Sequence, residues 1–443
     1  MHEFIGKRVT VMGLGLHGGG LATAAWFLGH GAHVTVTDLK TRRELTSSVR
    51  ELLKRKTQNA KRKIGGRLSL VLGRHRAEDF RSADFVVQNP GVPRESKFLT
   101  IARTARVPIE NEASLFLKMM NAERKMQNKR HVRIIAVTGT RGKSTTSALI
   151  AELLRADGRT VFLAGNIRIP MLGVLDEVVR AAKRGPVEVV LELSSWHCEL
   201  LSPATGGPDI AVLTNLYPDH LNRYRSLRAY AAAKARLVRF QSQGGIVIAN
   251  REQPIVRAMA ALSPGHAVWY AQRPPRRTWS GYAMRDDECV QFRSGRGTSI
   301  VSRRLLQLPG EHNAMNLLAA VAAARECGVE SSAIRRGLRT FHGLPGRLEV
   351  VRRSAGITYV NDTCATSPDG AIAALRALTE SGIKNRESRK RNIVLIAGGT
   401  DKNLDFHAWA KEVVRRVRVL VFLPGTATGK MRAALRRIPD SRF

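Results

Sequence analysis

Twice along this chain a short run rich in β-branched residues breaks into a glycine-rich turn and then a helical stretch. The first is Arg8-Val9-Thr10-Val11-Met12, followed by Gly13-Leu14-Gly15-Leu16-His17-Gly18. The second is Arg133-Ile134-Ile135-Ala136-Val137, followed by Thr138-Gly139-Thr140-Arg141-Gly142-Lys143-Ser144-Thr145. A strand that feeds a helix through glycines opens a βαβ unit. It commits the chain to α/β domains with largely parallel sheets and helices on their faces. A further strand is expected at 34–37, ending at Asp38, with others at 68–72, 85–88, 187–193, 210–214, 245–249, 357–360, 393–397 and 417–422. Helices are expected at 21–28, 143–155 and 313–326. Residues 118–133 are basic and lack strong periodicity, and read as a linker or surface insertion, either a solvated face or an anion patch. The 443 residues correspond to about three domains at ~150 residues each. We place them at 1–111, 112–343 and 344–443.

The second loop has the setting of a phosphate loop. Amides at a helix N-terminus point at phosphate, Lys143 can reach the β and γ oxygens, and the Ser144 hydroxyl can hold Mg²⁺. The first loop fits G-x-G-x-x-G through Gly13, Gly15 and Gly18, and Asp38 lies downstream. It suits a dinucleotide, a nucleoside diphosphate such as UDP, or a tight turn without ligand.

Glu192 falls at the carboxyl end of an apolar strand, where ligands of open α/β sheets gather. A carboxylate there can complete a Mg²⁺ site begun by Ser144 and phosphate oxygens. Asp219-His220 follows another strand and suits metal or substrate binding, or a structural histidine. By pattern alone Lys234, in Ala231-Ala232-Ala233-Lys234-Ala235, is a solvent-facing helical lysine.

Lys and Arg number 73 against 36 Asp and Glu, a net charge of +37. That excess suits anionic partners such as nucleotides, phosphorylated substrates or nucleic acid. Aromatic residues make up only 5%, no nucleic-acid motif is present and the basic residues are spread along the length, so no specific nucleic-acid partner is expected. Four scattered cysteines, Cys198, Cys289, Cys327 and Cys364, argue against a disulfide framework and fit a reducing compartment. No apolar run is long enough for a membrane span, and the N-terminus lacks a signal-peptide pattern.

Taken together, the two loops, Leu191–Ser195, Pro218–Tyr224 with Lys234, His312-Asn313 with Asn316, Gly343–Glu349, Asn361-Asp362 and Gly398-Gly399 with Lys402 resemble the Mur ligase family. These are ADP-forming amide ligases of peptidoglycan precursor synthesis. Gly-Leu-Gly with Asp38, Asn222-Arg223-Tyr224 and Gly-Leu-Pro-Gly-Arg-Leu-Glu resemble the branch that adds D-glutamate to UDP-N-acetylmuramoyl-L-alanine. The resemblance implies a Rossmann-like UDP-binding domain, a central ATP-binding domain and a Rossmann-like amino-acid-binding domain. It implies ATP bound by Gly139, Thr140, Arg141, Gly142, Lys143, Ser144, Thr145, Asn313, Asn316, Arg347 and Asp362. It implies substrate contacts from Leu16, His17, Asp38, Lys40, Asn166, His220, Thr366 and Lys402. Two Mg²⁺ ions are implied, one on Ser144 and Glu192 and one on His220 and Lys234, with Lys234 carbamylated by CO₂. Lys143, Glu192, His220 and Lys234 would be the catalytic set, in a cytoplasmic monomer.

Three features depart from the family. Arg141 stands where the loop often has Asn. Cys364 replaces a lysine and is expected as a small buried thiol. The third domain is expected to be incomplete, lacking a strand and a D-glutamate contact, with a sheet edge left exposed. Two alternatives follow: another Mur-type or folylpolyglutamate-like ligase, or an inactive paralogue.

Overall fold

A computed structural model describes residues 4–16, 18–60, 66–126, 131–221, 223–275, 278–381, 392–439 and 441–443. The chain forms two compact units. The first comprises Met1–Gly139, Asp157–Leu216 and Arg228–Val268; the second comprises Thr140–Ala156, Tyr217–Leu227 and Trp269–Phe443.

The first unit holds two parallel sheets. Strands β1 (Arg8–Met12), β2 (His33–Asp38), β3 (Leu68–Leu72), β4 (Phe85–Gln88) and β5 (Ile109–Glu110) form a sheet in the order β3-β2-β1-β4-β5. Val9 lies beside Val34 on one side and Phe85 on the other, both parallel. All five strands run parallel, and the order in which they are added reverses at β1, with β2 and β3 on one side and β4 and β5 on the other, so the glycine loop after it opens at the topological switch point. The helix Gly19–Gly29 packs there with Phe27 and Leu28 fully buried. Its tight approach requires Gly20, because a Cβ at that position would lie 2.1 Å from the Gly13 carbonyl oxygen.

The second sheet of this unit sets β6 (Val132–Thr138) between β8 (Val187–Glu192) and β9 (Ile210–Leu213), with β7 (Thr160–Gly165) and β10 (Ile246–Asn250) outside them. The register aligns Val137 and Gly165 with Glu192, all at the carboxyl edge. Strands β6 and β8 read as apolar runs because both faces are covered, as parallel sheets require.

The stretch 118–133 differs from the linker expected. A helix runs Glu112–Met126 and β6 begins at Val132. Leu115, Phe116, Leu117 and Met120 bury its first half, and two of the basic residues that obscure the pattern, Lys118 and Arg124, are tied down. Lys118 pairs with Glu110, and Arg124 donates to Asp209 Oδ2 at 2.5 Å and the Val132 carbonyl at 2.6 Å. Residues 127–130 lie outside the described residues.

In the second unit, the helix Lys143–Ala156 packs on the Ala-rich helix Glu311–Glu326 and on Ser331–Thr340. The end of β11 (His266–Ala271) pairs parallel with β12 (Gly281–Arg285), which continues antiparallel through β13 (Glu288–Arg293) to β14 (Arg296–Ser302). Beyond them lie the antiparallel pair β15 (Glu349–Ser354) and β16 (Ile357–Asn361) and the parallel pair β17 (Ile393–Ala397) and β18 (Val417–Phe422). One face of the β17–β18 pair packs Leu395, Leu420 and Phe422 against a cluster around Trp409, Val413 and Met431. From the other face Val394, Ile396, Val419 and Val421 are exposed. No helix among the described residues is long and apolar enough to cross a membrane.

Candidate nucleotide and substrate site

In the first unit the glycine loop is organised by Asp38. Its Oδ2 accepts from the Leu14 and Gly15 amides at 2.9 and 3.2 Å, and its Oδ1 from the Lys40 amide at 2.9 Å. A carboxylate taking three amides stiffens the turn after β1. Ser48 Oγ donates to the Gly15 carbonyl at 2.9 Å, and Asn89 Nδ2 to the Gly13 carbonyl at 2.7 Å. Neither Ser48 nor Asn89 stood out in the sequence. Leu16 and the Lys40 side chain are exposed beside the turn. His17 lies outside the described residues, as does Asn222.

Glu192 is buried at the end of β8. Its Oε1 accepts from Asn166 Nδ2 at 2.9 Å, and the Asn166 amide donates to the Glu192 carbonyl at 2.9 Å. Oε2 is buried without a hydrogen-bond partner among the described residues. An orphaned carboxylate oxygen at a sheet edge is the donor a hard cation needs, so Glu192 fits a Mg²⁺ ligand. Among the described residues no three His, Cys, Asp or Glu side chains gather as a self-sufficient metal cluster.

Lys234 is 1% exposed, against the solvent-facing position its alanine-rich surroundings suggested. The helix Leu227–Arg239 buries Tyr230, Lys234 and Val238. That is an i, i+4, i+8 stripe, and this spacing was the available signal. Lys234 Nζ donates to the Gly139 carbonyl at 2.8 Å and lies 4.8 Å from the Tyr230 ring centroid. His197, which no sequence motif marks, closes a capping box: Ser194 Oγ accepts from the His197 amide, and His197 Nδ1 from the Ser194 amide, both at 3.3 Å. Burial, and then the charge of Lys234, push the His197 imidazole down to about 4, which keeps the ring neutral, and the Ser194 amide then selects the tautomer with an accepting Nδ1.

In the second unit the phosphate loop is closed on itself. Lys143 Nζ donates to the Thr140 carbonyl at 3.0 Å, and Thr140 Oγ1 accepts from the Tyr217 amide at 3.0 Å. Ser144 and Thr145 are buried in the first helical turn. Gly142 has φ +78°, and a Cβ there would stand 2.1 Å from Asn316 Oδ1. The loop therefore seats directly on Asn316, whose Nδ2 donates to Asn313 Oδ1 at 3.1 Å; Asn313 Nδ2 donates to the Pro309 carbonyl at 2.8 Å.

The segment after Gly343 reaches the same loop. Arg347 Nη2 donates to Ser144 Oγ at 2.8 Å. Asp362 Oδ1 accepts from the Leu348 amide at 3.0 Å, and burial lifts its carboxyl above the ordinary range despite that bond and Arg347. Asp219 Oδ1 accepts from the amide of His220, a residue at φ +53°. Lys402 Nζ donates to Thr366 Oγ1 at 3.0 Å, both on the surface. Cys364 is only half-buried, not the buried thiol expected, because it sits on the open turn against Pro345.

A glycine loop that joins a central parallel strand to a helix and carries Lys143 and Ser144 on buried asparagines defines an α/β phosphate-loop nucleotide-binding protein. Three family models match: the Mur ligase MurD-like N-terminal domain over residues 7–110, the Mur ligase middle domain over 137–324, and the Mur ligase glutamate ligase domain over 346–440. The UDP-N-acetylmuramoylalanine–D-glutamate ligase of Roseiflexus sp. (strain RS-1) is 41% identical, covering 99% of this chain and 88% of the relative. The enzyme of the same name from Desulfitobacterium hafniense (strain DCB-2) is 36% identical over 97% and 84%. The chain belongs to the Mur ligase family, whose members use ATP and Mg²⁺. Among solved structures, UDP-N-acetylmuramate-alanine ligase from Thermotoga maritima is similar with a TM-score of 0.57 at 21% identity, covering 97% of this chain and 88% of that one. MurF from Acinetobacter baumannii also gives 0.57, at 17% identity over 90% and 79%. At these identities the likeness speaks for the fold alone.

Proposed function

We propose that this chain joins D-glutamate to UDP-N-acetylmuramoyl-L-alanine, with ATP converted to ADP and phosphate, in the cytoplasmic assembly of peptidoglycan precursors. The observation that carries this reading is the 41% identity, over 99% of the chain, to a ligase of that name. Three functional divisions are proposed: a UDP-binding domain at 1–111, an ATP-binding domain at 112–343 and an amino-acid-binding domain at 344–443, acting as a monomer.

In this reading the L-alanyl carboxylate attacks the γ-phosphorus of ATP and ADP leaves. The amine of D-glutamate then attacks the acyl phosphate carbonyl; phosphate departs, the amine loses a proton and an amide remains. Lys143 and the amides from Gly139 to Thr145 hold the triphosphate and neutralise its charge, which is most of what phosphoryl transfer asks of a protein. Asn313, Asn316, Arg347 and Asp362 hold the rest of the nucleotide. Leu16, His17, Asp38 and Lys40 hold the uridine diphosphate end, Asn166 and His220 contact the UDP substrate, and Lys402 with Thr366 receives a carboxylate of D-glutamate. Mg²⁺, when bound, offsets phosphate charge; Ser144 and Glu192 would hold one ion, and His220 and Lys234 a second. Carbamylation by CO₂ turns the Lys234 amine into an anionic oxygen donor with release of a proton.

The test is ADP release with UDP-N-acetylmuramoyl-L-alanine across a panel of D- and L-amino acids. Release that depends on D-glutamate is expected. Release driven equally by another amino acid overturns the assignment.

A further inference from the structure

Arg141 occupies the tip of the phosphate loop, and its guanidinium meets two carboxylates far away in sequence. Nε donates to Asp369 Oδ2 at 2.7 Å and Nη2 to Asp369 Oδ1 at 3.3 Å, while Nη1 donates to Asp219 Oδ2 at 2.8 Å. The Asp369 contact is a two-pronged fork, the geometry in which arginine differs most from lysine. The Arg141 side chain is 26% exposed, Asp219 6% and Asp369 44%, so the hub is partly shielded from water. Each carboxylate stands at a junction. Asp219 holds the amide of His220. Asp369 lies in the first turn of the helix Pro368–Ser381, where a negative charge also suits the helix dipole. Three residues before it is Thr366, the acceptor for Lys402.

We propose that Arg141 and Asp369 are positioning residues, whose ion pair docks the start of the helix Pro368–Ser381, and with it the Thr366–Lys402 pair, onto the phosphate loop. A neutral residue at 141 cannot satisfy Asp219 and Asp369 together. The loop that carries the phosphates is thereby tied by charge to the segment that would receive the incoming amino acid. The kinetic part of the test rests on the ligase reading; the exchange part does not.

The experiment compares wild type, Asp369→Asn, Asp369→Glu and Arg141→Lys as full chains. Hydrogen exchange without nucleotide is followed at the Gly370 and Ala371 amides, which bond to Ser367, and at the remote helix Met171–Ala182 as a control. Asp369→Asn is expected to speed exchange at Gly370 and Ala371 about five- to tenfold, the factor for a partly shielded ion pair, and to leave the control helix unchanged. Arg141→Lys gives a smaller rise, and Asp369→Glu restores most of the protection. In the ADP-release assay, Asp369→Asn raises the KM for D-glutamate by about the same factor, with kcat and the KM for ATP within about twofold. Raising salt from about 0.05 M to about 0.5 M reproduces that rise in wild type and not in Asp369→Asn. Unchanged exchange at Gly370 and Ala371 in both Asp369→Asn and Arg141→Lys overturns the proposal. If wild type releases no ADP with any amino acid, the ligase reading falls while the exchange result still decides this one.

Discussion

Gly142→Ala is a one-carbon change whose effect can be worked through in advance. The new Cβ would stand 2.1 Å from Asn316 Oδ1 and 3.1 Å from Asn316 Cγ, far inside contact distance. Asn316 cannot simply turn aside. It is 6% exposed, its Nδ2 donates to Asn313, and its Oδ1 accepts from Thr146 at 3.4 Å. Two costs follow. Alanine at φ +78° costs about 1–2 kcal/mol, and displacing a buried asparagine from its partners costs about 1–3 kcal/mol. The sum, about 2–5 kcal/mol, falls on the loop that grips phosphate. If the loop relaxes by moving, nucleotide affinity drops at least about 30-fold; if it holds, the cost appears as lost stability. The assays are titration calorimetry with ADP and urea unfolding, read together. Asn316→Ala supplies the internal control, because it removes the obstacle. In that background Gly142→Ala should cost only about 1–2 kcal/mol in stability, the backbone part. An equal cost in both backgrounds, or wild-type affinity and stability in the single variant, refutes the argument that Gly142 is needed for contact with Asn316.

Three further outcomes are expected. Burial pushes the Glu112 carboxyl up from 4.5 to about 7 even though the Leu172 amide donates to it at 3.1 Å. The folded chain therefore keeps a proton that the unfolded chain releases between these values; the penalty starts near the lower one and is complete above the upper. Glu112→Gln should then stabilise by about 1–2 kcal/mol at pH 8, allowing for partial exposure, and leave stability at pH 4 unchanged, as read by thermal unfolding. Asp38→Asn sets an amide NH₂ against backbone N–H groups, so it should cost about 1–3 kcal/mol in urea unfolding and weaken UDP binding in parallel. Trp26→Phe deletes the Nε1 bond to Asp176 Oδ1 at 3.0 Å and should lower the urea midpoint by an amount equal to about 0.5–1.5 kcal/mol with no change in m.

The parts of this molecule set by neighbours in sequence could be read without a structure. Both glycine loops, the strands they follow and the helix Lys143–Ala156 obey local rules of turn and cap, and all stand where their residues suggested. The placement of Glu192 at a strand end follows from the same logic. What escaped depends on residues brought together from afar. Arg141 meets Asp369 across 228 positions, and no periodicity announces that. Pattern alone puts Lys234 in solvent because alanines hide a helix face: Tyr230 and Val238 carry the apolar stripe, and the lysine between them falls on it. The start of the 118–133 stretch is hidden for the opposite reason, since Lys118 and Arg124, paired to Glu110 and Asp209, look like a solvated linker until their partners are placed.

The outward row of Val394, Ile396, Val419 and Val421 has a colloidal consequence when set against the net charge of +37. Two copies of such a chain feel forces of different reach. Charge repulsion acts across ~30 Å at about 0.01 M salt but only ~8 Å at about 0.15 M, while the attraction between aliphatic strips acts only near contact. Dilute buffer keeps the strips apart; added salt removes the repulsion and leaves the attraction, so association rises with ionic strength. An arginine-rich protein of this kind salts out early and adheres to hydrophobic media, the reverse of what its charge alone would advise.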